Sequence, residues 1–399
     1  PYDGQPMTTD SGARNRAVLL QELGRRLTRE FLAKDEIIRL LLLSVVAGEH
    51  MLIVGPPGTA KSALVRTLAQ SLDARYFEYL LTRFSEPNEL LGPVDIQAFR
   101  EGSFRRRTEQ MLPEAEIAFL DEIFKASSAI LNSLLGLLNE RRVQIGAERV
   151  DVPLLALFAA SNEVPSDDSL AALLDRFLLR VRSQNLEGFH FQQLLRIGLE
   201  HEKKLLGGRS TTPSGPSSPP LLSAKDILQL RRELAGRLQF SDEFLSEYKA
   251  LTAQIRSEGI FLSDRRLIKM LKLCAASALC DGRTEADVSD LFVLKHIWNT
   301  VEQADLLAGL VDPVLRRHRQ HKAGPRDEQG RRAMLDELQT LRLGLQRAGE
   351  LSDVQLFAKL RSLGELRAAL QSDGSEESLR AVSEIDSLLD SVVSQSPVG

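Results

Sequence analysis

Residues 55–62 read Gly55-Pro56-Pro57-Gly58-Thr59-Ala60-Lys61-Ser62, a run of small residues that ends in a lysine and a hydroxyl. A loop of this kind can wrap backbone N–H groups around phosphates, and a helix that follows aims its positive N-terminal end at the same anion. A β-type apolar segment at 51–54 precedes the run, and a helix-like stretch at 63–72, opened by Ala63, follows it. In that setting Lys61 would contact the β- and γ-phosphates and Ser62 would hold Mg²⁺. The strict G-x-x-x-x-G-K-[ST] pattern fails at one position, because Ala60 stands where the second glycine is expected. Strand, helix and Lys-Ser pair outweigh that defect and the plain Gly/Pro-turn reading, so the run is read as a cradle for ATP or GTP.

Three further groups of residues fit the same chemistry. An apolar β-run at 117–120 ends in Asp121 and Glu122, at about the distance expected of a second phosphate-site strand. Asp121 would bind Mg²⁺, often through water, and Glu122 would polarise the attacking water, since phosphoryl transfer needs little beyond positioning and charge compensation. A second β-run at 154–160 leads into Ser161-Asn162, where Asn162 either orients that water or is a turn former. Leu173-Leu174-Asp175-Arg176-Phe177 then places Arg176 at a helix end, free to reach another subunit's nucleotide or to pair with Asp175.

The elements that must position these residues alternate short β-type runs, at 51–54, 76–80, 117–120, 154–160 and 178–181, with helical segments. That alternation predicts an α/β sheet flanked by helices. Two hairpins are expected to interrupt it: 94–99 with 104–107 about Glu101-Gly102, and 143–145 with 149–152 about Gly146-Ala147. Residues 207–220, GGRSTTPSGPSSPP, read as a flexible linker. Beyond them, 3.6-residue periodicity predicts helices at 224–238, 242–257, 264–280 and 285–301. Two or three more amphipathic helices are expected at 328–393, with breaks at Gly349 and near 372–374.

Bulk properties agree. At 399 residues the chain holds two or three domains, and 43% hydrophobic with 27% charged residues is a globular composition. The longest apolar stretch, 40–47, reads as one face of a helix beginning near Lys34, far short of the ~18 residues a membrane span needs. The polar first residues, 1–11, read as unstructured rather than as a signal. Cys274 and Cys280 lie on one helix without metal-ligating neighbours and read as core thiols of a reducing cytoplasm. A net charge of −4 argues against a nucleic-acid binder. The exception is local: Arg316, Arg317, Arg319, Lys322, Arg326, Arg331 and Arg332 crowd one segment, without aromatics to stack on bases.

GPPGTAKS, FLDEIFKASSAILNSLLGLLNERRV, AASN and LLDRF, in this order, resemble the AAA+ ATPases of the MoxR family. YFEYLLTRFSEPNELLGPVDIQAF, LPEAEIAFLDEIFKA and FLSDRRLIKMLKL are most similar to RavA-type members, and the likeness covers about residues 18–305. In that family an alanine commonly precedes the loop lysine, so Ala60 becomes a subfamily mark. The resemblance implies an α/β P-loop core followed by an all-α lid, with ATP and Mg²⁺ as the bound species. Lys61 and Ser62 become phosphate and Mg²⁺ contacts, Asp121 and Glu122 the acidic pair, Asn162 the first sensor, and Arg176 the finger that reaches a neighbour's γ-phosphate.

Such a finger requires a ring, typically a hexamer. Ser263-Asp264-Arg265-Arg266 resembles the second sensor; Arg265 is favoured over Arg266, since adjacent helical residues face ~100° apart. The two hairpins match family inserts that face the ring pore or a partner. The C-terminal segment departs from RavA-type proteins, being too short and too helical for their β-rich insertion. The resulting domains are an unstructured 1–15, an AAA+ core at 16–185, a connector at 186–222, the lid at 223–305 and a helical extension at 306–399. The implied function is a cytoplasmic, chaperone-like ATPase that remodels or matures a protein partner, often a von Willebrand factor A domain protein. A nucleic-acid remodeller or helicase loader, and an ATP-dependent scaffold with little turnover, are the alternatives.

Overall fold

The computed structural model describes residues 9–145, 148–165, 170–184, 199, 219–322, 335, 338–339, 342, 363–364, 366–367, 370–371 and 376–395. They fall into two compact units, Pro1–Val311 and Asp312–Gly399.

The first unit is built on a five-stranded sheet ordered β2-β3-β6-β1-β7. Its strands are β1 (His50–Val54), β2 (Tyr76–Leu80), β3 (Ile117–Asp121), β6 (Ala156–Ser161) and β7 (Phe177–Arg182), all paired in parallel. β1 and β6 are buried at every position, which is why they read as unbroken apolar runs rather than as alternating ones. Because β6 lies between β3 and β1, the C-terminal ends of these three strands are neighbours. That edge is where open α/β sheets bind ligands.

Helices α2 (Asp35–Ala47) and α3 (Lys61–Ser71) pack on the sheet, and α1 (Thr9–Glu30) packs against both of them. α2 starts one residue after Lys34, as expected, and ends at Gly48, which closes it in a left-handed turn at φ 69°. α1 begins within the stretch expected to be unstructured. The short helix α4 (Pro87–Leu91) comes next in the chain. Of the two hairpins, 143–152 forms as β4 (Arg142–Ile145) paired antiparallel with β5 (Glu148–Asp151). The other does not. A single antiparallel bridge joins Val94 to Arg106, and between them the chain turns into helix α5 (Ile96–Arg100). The Asp95 side chain accepts from the Gln97 and Ala98 N–H groups, and this cap outcompetes a strand ladder.

Between β3 and β4 runs α6 (Ser128–Glu140), capped by Ser127, and α7 (Ala171–Leu174) precedes β7. The lid follows as α8 (Ala224–Ala235), α9 (Asp242–Ser257) and α10 (Asp264–Cys280). The helix expected at 285–301 is instead a 3-10 helix, Val288–His296. Val288, Leu291, Val293, Leu294, Ile297 and Trp298 are all buried, so the segment presents apolar groups all round instead of along one stripe. Cys274 and Cys280 lie on α10 as free thiols. α10 is locked to the core by the buried Glu49 carboxylate, which takes Lys269 Nζ at 2.8 Å and also pairs with Lys272.

α11 (Gln303–Lys322) spans the boundary between the units, and α12 (Glu376–Gln395) belongs to the second. There Leu338, Leu363, Leu366 and Leu370 pack with Ala381, Val382 and Ile385 in a core of their own, consistent with the helical extension expected. Residues 207–218 of the expected linker, Gly349 and the 372–374 break lie outside the described residues.

Candidate functional site

The loop that begins at Gly55 joins β1 to α3 on the sheet's C-terminal edge. Gly55 fits against Ser183, which follows β7: a Cβ on Gly55 would stand 1.9 Å from the Ser183 carbonyl oxygen. Gly58 adopts φ 79° and Ala60 φ 60°. The left-handed conformation at Ala60 explains why glycine is expected there, and an alanine tolerates it at a cost of about 1–2 kcal/mol. Lys61 folds back over the loop, its Nζ donating to Gly55 O at 2.7 Å and Pro56 O at 2.9 Å. Burial lowers its pKa, against the pull of the Asp121 and Glu122 carboxylates. Ser62 opens α3 beside it.

At the end of β3, Asp121 Oδ1 accepts the Glu122 N–H at 2.9 Å. Glu122 turns left-handed at φ 54°, which swings its side chain out of the strand direction and toward β6. There Asn162 Nδ2 donates to Glu122 Oε1 at 2.8 Å, with Lys125 Nζ 3.4 Å from the same oxygen. Phosphate loop, acidic pair and Asn162 therefore meet at the ends of three adjacent strands. The donor set fits Mg²⁺: a serine hydroxyl and an aspartate carboxylate are hard oxygen ligands that leave positions for water and phosphate. Among the described residues no cluster of three or more His, Cys, Asp or Glu offers a competing metal site.

The three candidate arginines, Arg176, Arg265 and Arg266, lie elsewhere. Arg176 immediately precedes β7, and Phe177 pairs with His50, the first residue of β1. Arg176 thus stands on the N-terminal edge, a five-residue strand away from its own loop, or about 16 Å. Its Nη1 donates to Asp175 Oδ2 at 3.0 Å. Arg265 and Arg266 open α10 toward the same edge, since Lys269 and Lys272 of that helix hold Glu49, the residue before β1. Arg265 is exposed and reaches Asn139 Oδ1 at 3.4 Å, whereas Arg266 is buried, donating to Asn299 Oδ1 at 3.0 Å and Ile297 O at 2.9 Å.

Two residues at these edges escape sequence reasoning. Lys34 sends its Nζ to Ser183 Oγ at 3.1 Å and Gln184 O at 2.8 Å, and burial followed by the Lys61 charge lowers its pKa. It adds a second cation beside the loop, and nothing in its spacing announces it. Arg180 is a charge in the middle of the buried strand β7, a signal that was legible in FLLRVR.

The family described as "MoxR domain in the MoxR-vWA-beta-propeller ternary systems" matches residues 18–212, and an AAA lid domain matches residues 224–311. An uncharacterized protein of Methanocaldococcus jannaschii is 38% identical over 287 residues, 71% of this chain and 73% of its own. Chaperone MoxR1 of Mycobacterium tuberculosis is 25% identical over 312 residues, 72% of this chain and 77% of its own. Among solved structures, a putative ATPase from Cytophaga hutchinsonii shares the fold, with TM-score 0.60, 20% identity, and coverage of 77% of this chain and 96% of that one.

Proposed function

The chain belongs to the MoxR family of AAA+ ATPases, and we propose that it hydrolyses ATP with Mg²⁺ at sites shared between neighbouring copies in a ring, expected to be a hexamer, to remodel or mature a protein partner. The loop from Gly55 through Ser62, with Ala63 at the helix start, binds the phosphates through its N–H groups and Lys61. Ser62 and Asp121 would hold Mg²⁺, which when bound neutralises charge on the β- and γ-phosphates. Glu122 takes the proton of the attacking water, and Asn162 holds the carboxylate in place through the 2.8 Å bond to Oε1. Arg176 serves the γ-phosphate of the next copy, and Arg265, exposed on the same edge, acts as the second sensor there.

The observation that carries this reading is the separation of the parts. Loop, acids and Asn162 occupy one edge of the sheet, and Arg176 and Arg265 occupy the other. Arg176 and Arg265 cannot reach the phosphates of their own chain from there, but two chains stacked edge to edge can bring them to a neighbour's. For the client, the matched family is described in systems that contain a vWA protein, which supports a von Willebrand factor A domain partner. No helix among the described residues is long and apolar enough to cross a membrane.

The test is complementation. Arg176→Ala should bind ATP yet lose ~10³-fold or more in turnover, the worth of a finger supplied in trans. Lys61→Ala should not bind ATP. Mixing the two should restore part of the activity, since one supplies the loop and the other the finger; no recovery in mixed assemblies would overturn the shared site.

A further inference from the structure

Arg180 is 1% exposed, yet no carboxylate is among its hydrogen-bond partners. Its guanidinium is spread over three oxygens from two parts of the chain. Nη2 donates to Leu174 O at 2.7 Å, Nη1 donates to Asn299 Oδ1 at 2.8 Å, and Nη1 also bonds Trp298 O. Asn299 Oδ1 accepts Arg266 Nη1 as well, so two buried guanidiniums converge on one amide oxygen. The Nε atoms of Arg176, Arg180 and Arg266 are all buried without a partner. Burial and the nearby Arg266 charge push the Arg180 pKa down to about 9, against the pull of Asp175.

For stability alone this arrangement is a poor choice, because a well-packed apolar side chain in the same space avoids the desolvation of a charge. What the charge provides is connection. Leu174 ends α7, and the turn after it carries Asp175 and Arg176, with the Arg176 N–H bonded to Leu173 O at 3.0 Å. Trp298 and Asn299 belong to the lid, and Arg266 anchors α10 to Ile297 and Asn299 of the same segment. A shift of the lid therefore reaches the Arg176 turn through one side chain.

We propose that Arg180 is a positioning residue that ties the turn bearing Arg176 to the lid of its own chain, so that the lid sets the reach of the arginine offered to the neighbouring site. This rests on the reading of Arg176 as a finger supplied in trans. Lysine could not take the place of Arg180, having one ammonium where the planar fork serves both sides.

Arg180→Met keeps bulk and removes the donors. It should fold, bind ATP with KM close to the parent's, and lose ~10- to 10²-fold in kcat, the scale of an ångström-level misplacement. Mixed with Lys61→Ala it should regain part of that loss, because the second protein carries an intact Arg180 and Arg176. A structural defect would instead lower melting temperature, ATP binding and kcat together, and mixing would not repair it. Asn299→Ala, at a half-buried position, removes the shared oxygen and should show the same kcat loss and rescue more weakly; it decides the matter if Arg180→Met does not fold. Arg176→Ala is run alongside. Normal turnover by Arg176→Ala would overturn the finger and this inference together. Loss in Arg176→Ala with undiminished kcat in Arg180→Met, or an Arg180→Met loss that mixing leaves unchanged, would overturn this inference alone.

Discussion

Gly55→Ala is the smallest change that should disable the loop without touching a reacting group. The added methyl would stand 1.9 Å from Ser183 O, whereas real Cβ atoms essentially never approach within 3.0 Å of a neighbour. The two must part by about 1 Å or more. Ser183 cannot give way easily: its N–H donates to Val54 O at 2.7 Å and its Oγ takes Lys34 Nζ at 3.1 Å. The loop moves instead, and with it the Gly55 carbonyl that Lys61 holds at 2.7 Å. Overpacking of this size costs about 1–3 kcal/mol of stability, which a core of this extent survives. The larger effect is on function, since a 1 Å displacement at a reacting centre costs about 10²-fold.

We therefore expect Gly55→Ala to remain folded by thermal melting while its ATPase kcat/KM falls about 10²-fold, with much of the loss in ATP affinity by direct titration. Ala60→Gly is the matched control: it relieves the left-handed strain at φ 60° and introduces no contact, so it should leave kcat/KM within about threefold. A folded Gly55→Ala protein with ATP affinity and kcat/KM within about threefold of the parent would refute the reasoning, because the loop would have absorbed the methyl without consequence.

Glu122→Gln should bind ATP normally and turn over at least ~10²-fold more slowly, read as single-turnover hydrolysis, because the amide cannot take a proton while its oxygen still accepts from Asn162; near-parental turnover removes Glu122 from the mechanism. His50 gives a pH signature: it is fully buried, donates from Nε2 to Leu138 O at 3.2 Å, accepts the Leu157 N–H on Nδ1 at 3.0 Å, and burial pushes its pKa down to about 3. The folded pKa lies below the unfolded value, so the unfolded chain binds the proton first, and stability present above about pH 6.5 is lost as pH falls toward the folded pKa, by about 2 kcal/mol at pH 5. His50→Gln should flatten that slope in denaturant titrations between pH 7 and 5, whereas an unchanged slope would show that His50 does not govern it.

Much of the site was legible in the chain. Strands at 51–54, 76–80 and 117–120 fall within a residue or so of those observed: the first and third are buried at nearly every position and read as apolar runs, and the edge strand 76–80 is marked by its aromatic residues. The lid helices at 242–257 and 264–280 match Asp242–Ser257 and Asp264–Cys280, each announced by a serine cap and a 3.6-residue apolar stripe. Local chemistry misled where two local signals competed: Asp95 capped a helix where alternation promised a strand, and the apolar run at 288–298 suited a helix until its burial on all sides drew it into a tighter coil.

What the sequence determined by itself is therefore the set of parts: a glycine-rich loop ending in Lys-Ser, an acidic pair, an asparagine after a strand, an arginine after a short helix and two more at the start of a lid helix, and a core-plus-lid fold. These are readable because each depends on neighbours a few residues away. Tertiary structure alone decided how the parts are shared out. Strand order brought Lys61, Asp121, Glu122 and Asn162 to one edge and left Arg176 at the other, the hold of Lys269 and Lys272 on Glu49 set Arg265 beside that second edge, and the packing of the lid against β7 brought Arg180 to Asn299 and Arg266, 119 and 86 positions apart in one chain. No spacing rule encodes such distances, because parallel pairing and helix packing bring together residues whose separation along the chain carries no periodic signal.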